Sequence, residues 1–217
     1  MYDEGIETNK RVVAELMVKM KLRAKGHQRR KASYNKIERI EEKLKENLIN
    51  REFNNHNVDE IWVTDNSYIK CIDGRLNLST YIDLATRIPR CCSIGNYMKK
   101  DIVIKPLKKY AQSFPMIIHT DGGGQYHSHD YRELLESHSI EHLMSEAGTP
   151  VDNAVIESFH KTIKRELIYP NRHKTKAEMK VLIYDYLTQY YIYERIHTKF
   201  MMTPYKHQLL LGSKVVS

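Results

Sequence analysis

Residues 59–98, DEIWVTDNSYIKCIDGRLNLSTYIDLATRIPRCCSIGNYM, decide the fold. They divide into three runs, 59–70, 75–88 and 90–98, rich in the β-branched and aromatic residues that suit a pleated, half-buried surface. Asp73-Gly74 marks a turn between the first two, so the spacing predicts three consecutive antiparallel strands. Downstream, Lys99 to Gln112 carries Ile102, Leu107 and Tyr110 at helical spacing, and Pro115 ends that helix. MIIHT, residues 116–120, then reads as a short buried strand that stops at Asp121-Gly122.

Three antiparallel strands, a helix and a parallel strand are the opening of a ribonuclease H-like sheet. The fold class expected is therefore α/β, a five-stranded mixed sheet flanked by helices, with an N-terminal helical extension. The later elements fit this: a helix from Ser128 to Ser137, the strand IEHLM, the loop SEAGTP, a long helix from about Val151 to Ile168, and a tyrosine-rich helix from Thr175 to His197 before the loop TKFMMTPY. Upstream, KRVVAELMVKM places Val12, Leu16 and Met20 on one helical face, and Ser33 to Asn50 reads as a second helix striped by Ile37, Ile40, Leu44 and Leu48.

A chain of 217 residues with 41% hydrophobic residues can bury one sizeable core plus a small appendage. Between Lys10 and Lys31 nine Lys and Arg stand against the single Glu15, which equals the whole formal net charge of +8 and points to an anionic partner, nucleic acid first. Three cysteines, two of them adjacent, give neither a disulfide framework nor a zinc site. No apolar run approaches a membrane span and MYDEGIETNK is no signal peptide, so the expected location is cytoplasmic, with no membrane partner.

Three acidic residues stand at element boundaries: Asp65 within the first strand, Asp121 directly after the fourth, and Glu157 early in the late helix. If the first and fourth strands are neighbours, all three carboxylates meet at one edge of the sheet. Hard oxygen donors converging there suit Mg²⁺ or Mn²⁺, and two such ions serve an in-line displacement at a phosphodiester. On the late helix Ile156, Phe159, Ile163 and Leu167 form a core stripe, while Asn153, Glu157, Lys161 and Lys164 fall together about a third of a turn away. Gly122, Gly123 and Gly124 allow positive φ and a close approach, which turns Gln125 and Tyr126 back toward the acidic edge. Histidines 127, 129, 138 and 142 lie on different elements and make no zinc site, and the tyrosines between 184 and 193 read as packing residues.

The strings IWVTDNSYI, YIDLATR, IIHTDGGGQYHSHDY, GTPVDNAVIESFHKTIKREL and YERIHTKFMMTPY resemble, in this order, the insertion-sequence family-three transposases, orfB-type DDE enzymes related to retroviral integrases. The thirty-five residues 122–156 between Asp121 and Glu157 are the interval expected of that group. The resemblance implies metal-dependent strand cleavage and strand transfer at element ends by Asp65, Asp121 and Glu157, with two Mg²⁺ or Mn²⁺ ions as cofactors. It implies phosphate contacts from Lys161 and Lys164, joined by Asn153 on the same face. MKLRAKGHQRRK looks like the end of the family's helix-turn-helix unit, which assigns Arg29, Arg30 and Lys31 to DNA as well. The partners implied are terminal-repeat and target DNA, further copies of the chain assembled on DNA, and a companion reading-frame product that completes the N-terminal unit; the setting is the bacterial nucleoid. The domains expected are 1–31, a partial DNA-binding unit; 32–57, a helical linker; 58–170, the catalytic core; and 171–217, the helical end of the integrase region.

Several positions depart from the family pattern: Asn66 replaces an apolar residue, Gly122 and Gly124 an Arg and a Ser, Cys91-Cys92 a Trp, and Ile192 an Asn. None removes a candidate metal ligand. With the short N-terminus they leave an alternative from another class, a truncated, non-catalytic DNA-binding remnant or regulator of the full transposase.

Overall fold

A computed structural model describes residues 9–22, 57–109, 114–144 and 154–214. The chain divides into two compact units, Met1–Ser33 and Tyr34–Ser217. In the first, α1 (Lys10–Lys19) begins at Asn9, whose side chain accepts hydrogen bonds from the backbone N–H groups of Arg11 and Val12 and so satisfies two of the donors that a helix start leaves open. Val12, Leu16 and Met20 share a face as expected, yet all three are exposed. Arg29, Arg30 and Lys31, and the second helix expected over 33–50, lie outside the described residues.

The second unit is built on five strands: β1 (Ile61–Cys71), β2 (Gly74–Asp83), β3 (Pro89–Gly95), β4 (Ile117–Thr120) and β5 (Glu141–Met144), in the order β3-β2-β1-β4-β5. The first three are antiparallel neighbours, while β4 pairs parallel to both β1 and β5. The β1–β2 hairpin closes at Cys71↔Gly74, and Gly74 takes φ 131°, which only glycine adopts at no steric cost. The mixed sheet and the side-by-side first and fourth strands are those expected.

Alternation along β1 sorts the core into two layers. Ile61, Val63 and Ile69, with Leu76, Leu78 and Ile82 of β2, pack against α4 (Ala154–Ile163) and α5 (Lys176–Asp185) through Ile156, Phe159, Ile163, Met179 and Ile183. Trp62, Tyr81 and Ile118 face the other way, onto α2 (Asp101–Lys109) and α3 (His129–Ser137) through Ile102, Val103, Leu107, Tyr131 and Leu135. Each such apolar side chain stabilises the fold by about 1.5–3 kcal/mol relative to exposure. Asp65 follows the odd-numbered set, so the pleat turns it toward α4.

The two late helices are not continuous α-helices. α4 passes into a π-helical stretch, Lys164–Ile168, and α5 into another, Tyr186–Glu194. The widened turns end in Tyr169 N–H to Lys164 C=O and Arg195 N–H to Tyr190 C=O bonds, each 2.8 Å. A polar clamp joins them: Arg195 donates through Nε and Nη2 to the Glu166 carboxylate at 2.9–3.1 Å, and the Tyr186 hydroxyl donates to Glu166 Oε2 at 2.7 Å. Burial alone would raise Glu166, but these bonds outweigh it and hold the carboxyl below its ordinary value. A last helix, α6 (Pro204–Lys214), was not expected; Thr203 accepts from Lys206 N–H at 3.2 Å and Pro204 fills the first helical position. Among the described residues no helix is long and apolar enough to cross a membrane.

Candidate active site

The parallel pairing of β1 with β4 runs from Ile61↔Ile117 to Thr64↔Thr120. The next residue on each strand is an aspartate, Asp65 and Asp121, on backbones that the parallel spacing holds roughly 4.8 Å apart. Glu157 lies in the first described turn of α4, whose residues Ile156 and Phe159 are buried against the same face of the sheet that Asp65 follows. Asp65 senses the other two carboxylates. Asp65 is pushed up to about 6, first by burial, with Asp121 and Glu157 adding to the rise while the Asn66 N–H and Lys164 oppose it.

Among the described residues no three His, Cys, Asp or Glu side chains stand close enough to hold a metal as they are placed. Each carboxylate has another partner. Asp121 Oδ1 accepts the Gly123 N–H at 3.1 Å, Asp65 Oδ1 accepts the Asn66 N–H at 2.6 Å, and Glu157 is paired with Lys161 at 3.1 Å. The Glu157–Lys161 pair is exposed, with side chains 41% and 76% accessible, and such a pair contributes at most about 1 kcal/mol. It opens at little cost. The donor set itself is hard oxygen, and the repulsion that Asp121 and Glu157 add to burial at Asp65 is the kind a divalent cation relieves.

Two features of this edge were not anticipated. His160, buried on α4, brings Nε2 to 4.0 Å from Asp65 Oδ2, beyond hydrogen-bond length. Burial, with Lys164 contributing, depresses its pKa to about 4 against the pull of the Asp65 backbone, so the ring is neutral at pH 7. The other is a polar tie behind the carboxylates. The buried Tyr126 hydroxyl accepts from Asn66 Nδ2 at 3.1 Å and shares a hydrogen bond with Thr64 Oγ1 at 3.2 Å. It pins the turn after Asp121 to β1 on both sides of Asp65, which gives the departure at Asn66 a physical role.

The glycine triplet works differently from the expectation. Gly74 is the only described glycine at positive φ, and Gly123 sits at φ −65°, ψ 136°. The chain enters a 3₁₀ turn, Gly124–His127, through backbone angles that any residue adopts. What Gly123 supplies is room: a Cβ there would meet the Gln125 side chain and stand 2.9 Å from Asp121 Oδ1, whereas Gly122 and Gly124 face open space. Gly123→Ala is therefore expected to lower activity by about 10- to 100-fold through a displaced carboxylate, with Gly122→Ala and Gly124→Ala near the parent in the same assay. Equal losses at all three would point to loop entropy instead.

Of the residues expected at DNA, Lys161 holds Glu157, and Lys164 is near enough to Asp65 and His160 to bias both. Asn153, Arg29, Arg30 and Lys31 lie outside the described residues. Tyr186 and Tyr191 are buried in the core while Tyr184, Tyr190 and Tyr193 are exposed.

An integrase core domain family matches residues 55–150, and a second integrase core domain family matches 138–204. The transposase for insertion sequence element IS904 of Lactococcus lactis is 34% identical over 202 residues, covering 91% of this chain and 79% of its own. The transposase InsF for insertion sequence IS3A of Escherichia coli is 30% identical over 188 residues, covering 85% of this chain and 65% of its own. The chain belongs to the insertion-sequence family-three transposases. Its fold is that of retroviral integrase cores: the catalytic core of HTLV-2 integrase, solved with magnesium, superposes with a TM-score of 0.56 at 15% identity, over 70% of this chain and 97% of that one.

For the metal-free transposase the raised Asp65 has a measurable consequence. The folded state binds this proton more tightly than the unfolded chain, so the group costs stability as pH rises from its ordinary 3.8 through about 6, and the cost is complete above that. Asp65→Asn removes it. In chelator the variant is expected to be more stable than the parent by about 1–3 kcal/mol at pH 8, the gap closing toward pH 4, as read by thermal unfolding at both pH values. A gap that does not change with pH would contradict the assignment.

Proposed function

We propose that this transposase cuts DNA at insertion-sequence ends and joins the exposed 3′-hydroxyl to a second phosphodiester, with Asp65, Asp121 and Glu157 holding two Mg²⁺ or Mn²⁺ ions. The observation that carries the reading is the β1–β4 register, which ends one residue before each aspartate, on the sheet face that α4 and Glu157 cover. Bound there, the ions would activate the attacking hydroxyl and stabilise the leaving oxygen. The chain's own part is to orient and to dehydrate. Gly123 N–H holds the Asp121 carboxylate and Asn66 N–H that of Asp65, the Tyr126 tie steadies the strand on either side of Asp65, and buried, neutral His160 closes the inner side of the site without adding a positive charge that would compete with a cation.

Glu157 joins the two aspartates when its pair with Lys161 opens, and Lys161 is then free for a DNA phosphate, with Lys164 and Asn153 beside it on the helix. Arg29, Arg30 and Lys31 serve the terminal repeats in this reading. Residues 58–170 carry the catalytic core, and several copies act together on paired DNA ends. The magnesium-bound HTLV-2 core is known in trimeric and dimeric forms, which supports both the metal and the assembly.

The test is cleavage and joining of a labelled duplex bearing the flanking element end, with Mg²⁺ or Mn²⁺. Metal-dependent nicking at the element boundary is the expected result. Binding of that duplex with no cut under any divalent metal would favour a non-catalytic remnant.

A further inference from the structure

A cavity of about 240 Å³ opens beside α4. Its lining brings Arg87, Arg195, His197 and Lys199 together with hydroxyls of Ser158, Thr162 and Thr198, and no Asp or Glu is among the described lining residues. Arg195 donates to Glu166, and Arg87 and Lys199 line the same space from separate segments of the chain. Crowding of like charge, added to burial, is visible at Lys199 and His197. Burial lowers Arg87 to about 10, burial and then Arg87 lower Lys199, and His197 falls to about 4 through burial followed by Arg195, Arg87 and Lys199.

Arg87 is 5% exposed and sits at φ 64°, a left-handed conformation that an arginine adopts only when its surroundings impose it. The surroundings are specific. Arg87 N–H donates to Asp83 C=O at 2.9 Å, Asp83 N–H to Ile88 C=O at 3.0 Å, and the buried Asp83 carboxylate accepts from Asp59 N–H, Thr86 N–H and the Thr86 hydroxyl. The turn holds a buried guanidinium in a cavity whose polar lining is cations and hydroxyls, set against an apolar wall of Ile82, Val155 and Phe159. That donor set matches a tetrahedral oxyanion.

We propose that this cavity grips one backbone phosphate of the bound DNA. The proposal deepens the DNA-cutting reading and rests on it for the carrier of the phosphate. Placement favours DNA over a small free anion. Ser158 follows Glu157 directly on α4 and Thr162 comes a turn later, so a phosphate held here belongs to a strand running past the acidic edge. Thr198 and Lys199 are exposed at the rim, where a polymer can enter.

The experiment compares the full chain with Lys199→Gln by fluorescence anisotropy on a labelled duplex at several KCl concentrations. Because Arg87→Gln alters a buried position and risks the turn, Lys199→Gln at an exposed side chain carries the test, with its thermal unfolding as a check on folding. The affinity is expected to fall roughly tenfold near 0.1 M salt, and the slope of log K against log salt to shrink by about one. Parent affinity and slope would overturn the proposal. So would the case in which inorganic phosphate stabilises the parent and not Lys199→Gln while DNA binding is unchanged, since the ligand would then be a free anion. Failure of the catalytic reading looks different: nicking that survives Asp121→Asn sinks the triplet and leaves a changed salt slope standing.

Discussion

Glu157→Gln is expected to lower the rate of metal-dependent nicking at the element end by roughly 10³-fold or more, while duplex binding stays within about threefold of the parent. The amide keeps the length and shape of the side chain, so the packing of Ile156 and Phe159 on either side of it is untouched. It removes the anionic oxygen that would complete the cation site, and it also releases Lys161 from its 3.1 Å pair. Loss of the pair alone contributes little at such exposure. Asp121→Asn is expected to match it, because Asp121 Oδ1 can still accept the Gly123 N–H from an amide oxygen while the charge is gone. Single-turnover cleavage with saturating protein separates the two quantities. A fall in binding that tracks the fall in cutting would mean that these residues hold DNA rather than perform chemistry.

The largest expected effect on stability lies elsewhere. Asp83→Ala is expected to cost about 3–5 kcal/mol in urea unfolding, because it strips the partner from a buried charge. The Asp83 side chain is fully buried, its Oδ2 lies 3.6 Å from Arg90 Nη2, and Arg90 in turn is paired with Asp59 at 2.7 Å. Alanine would leave the Asp59 and Thr86 N–H groups without acceptors and loosen the turn that presents Arg87. Asp83→Asn retains one acceptor oxygen and should lose less. A cost under about 1 kcal/mol for the alanine variant would show that the turn is held by its backbone bonds alone.

The sheet, and the place of Asp65 and Asp121 beside one another on β1 and after β4, were legible because their signals are local. Asp73-Gly74 marks the hairpin, strand texture runs through 59–98, and Asp121 stands where the pattern of the fourth strand breaks. The Gly74 turn and the Ile156–Phe159–Ile163 stripe follow the same periodicities in three dimensions. The π-helical stretches were hidden because a widened turn shifts the apolar pattern by a single residue and uses backbone angles close to those of the α-helix, as at Ile163 and Tyr169. α6 was readable and missed: Thr203-Pro204 is a cap followed by a first-turn proline. His160 near Asp65 is set by the rotation of α4 over the sheet. The cavity cations come from two segments, around residues 87 and 197, and meet the hydroxyls of a third, around 158, only after folding, although all three lie within the strings YIDLATR, GTPVDNAVIESFHKTIKREL and YERIHTKFMMTPY.

The central claim, that Asp65, Asp121 and Glu157 form one divalent-cation site, is tested most directly by crystals of the transposase bound to element-end DNA and soaked in Mn²⁺, with anomalous scattering used to locate the ions. Two manganese peaks are expected at the edge shared by β1 and β4, touching all three carboxylates, with Lys161 moved away from Glu157. Peaks elsewhere, or none at this edge in crystals that still cleave their DNA, would contradict it.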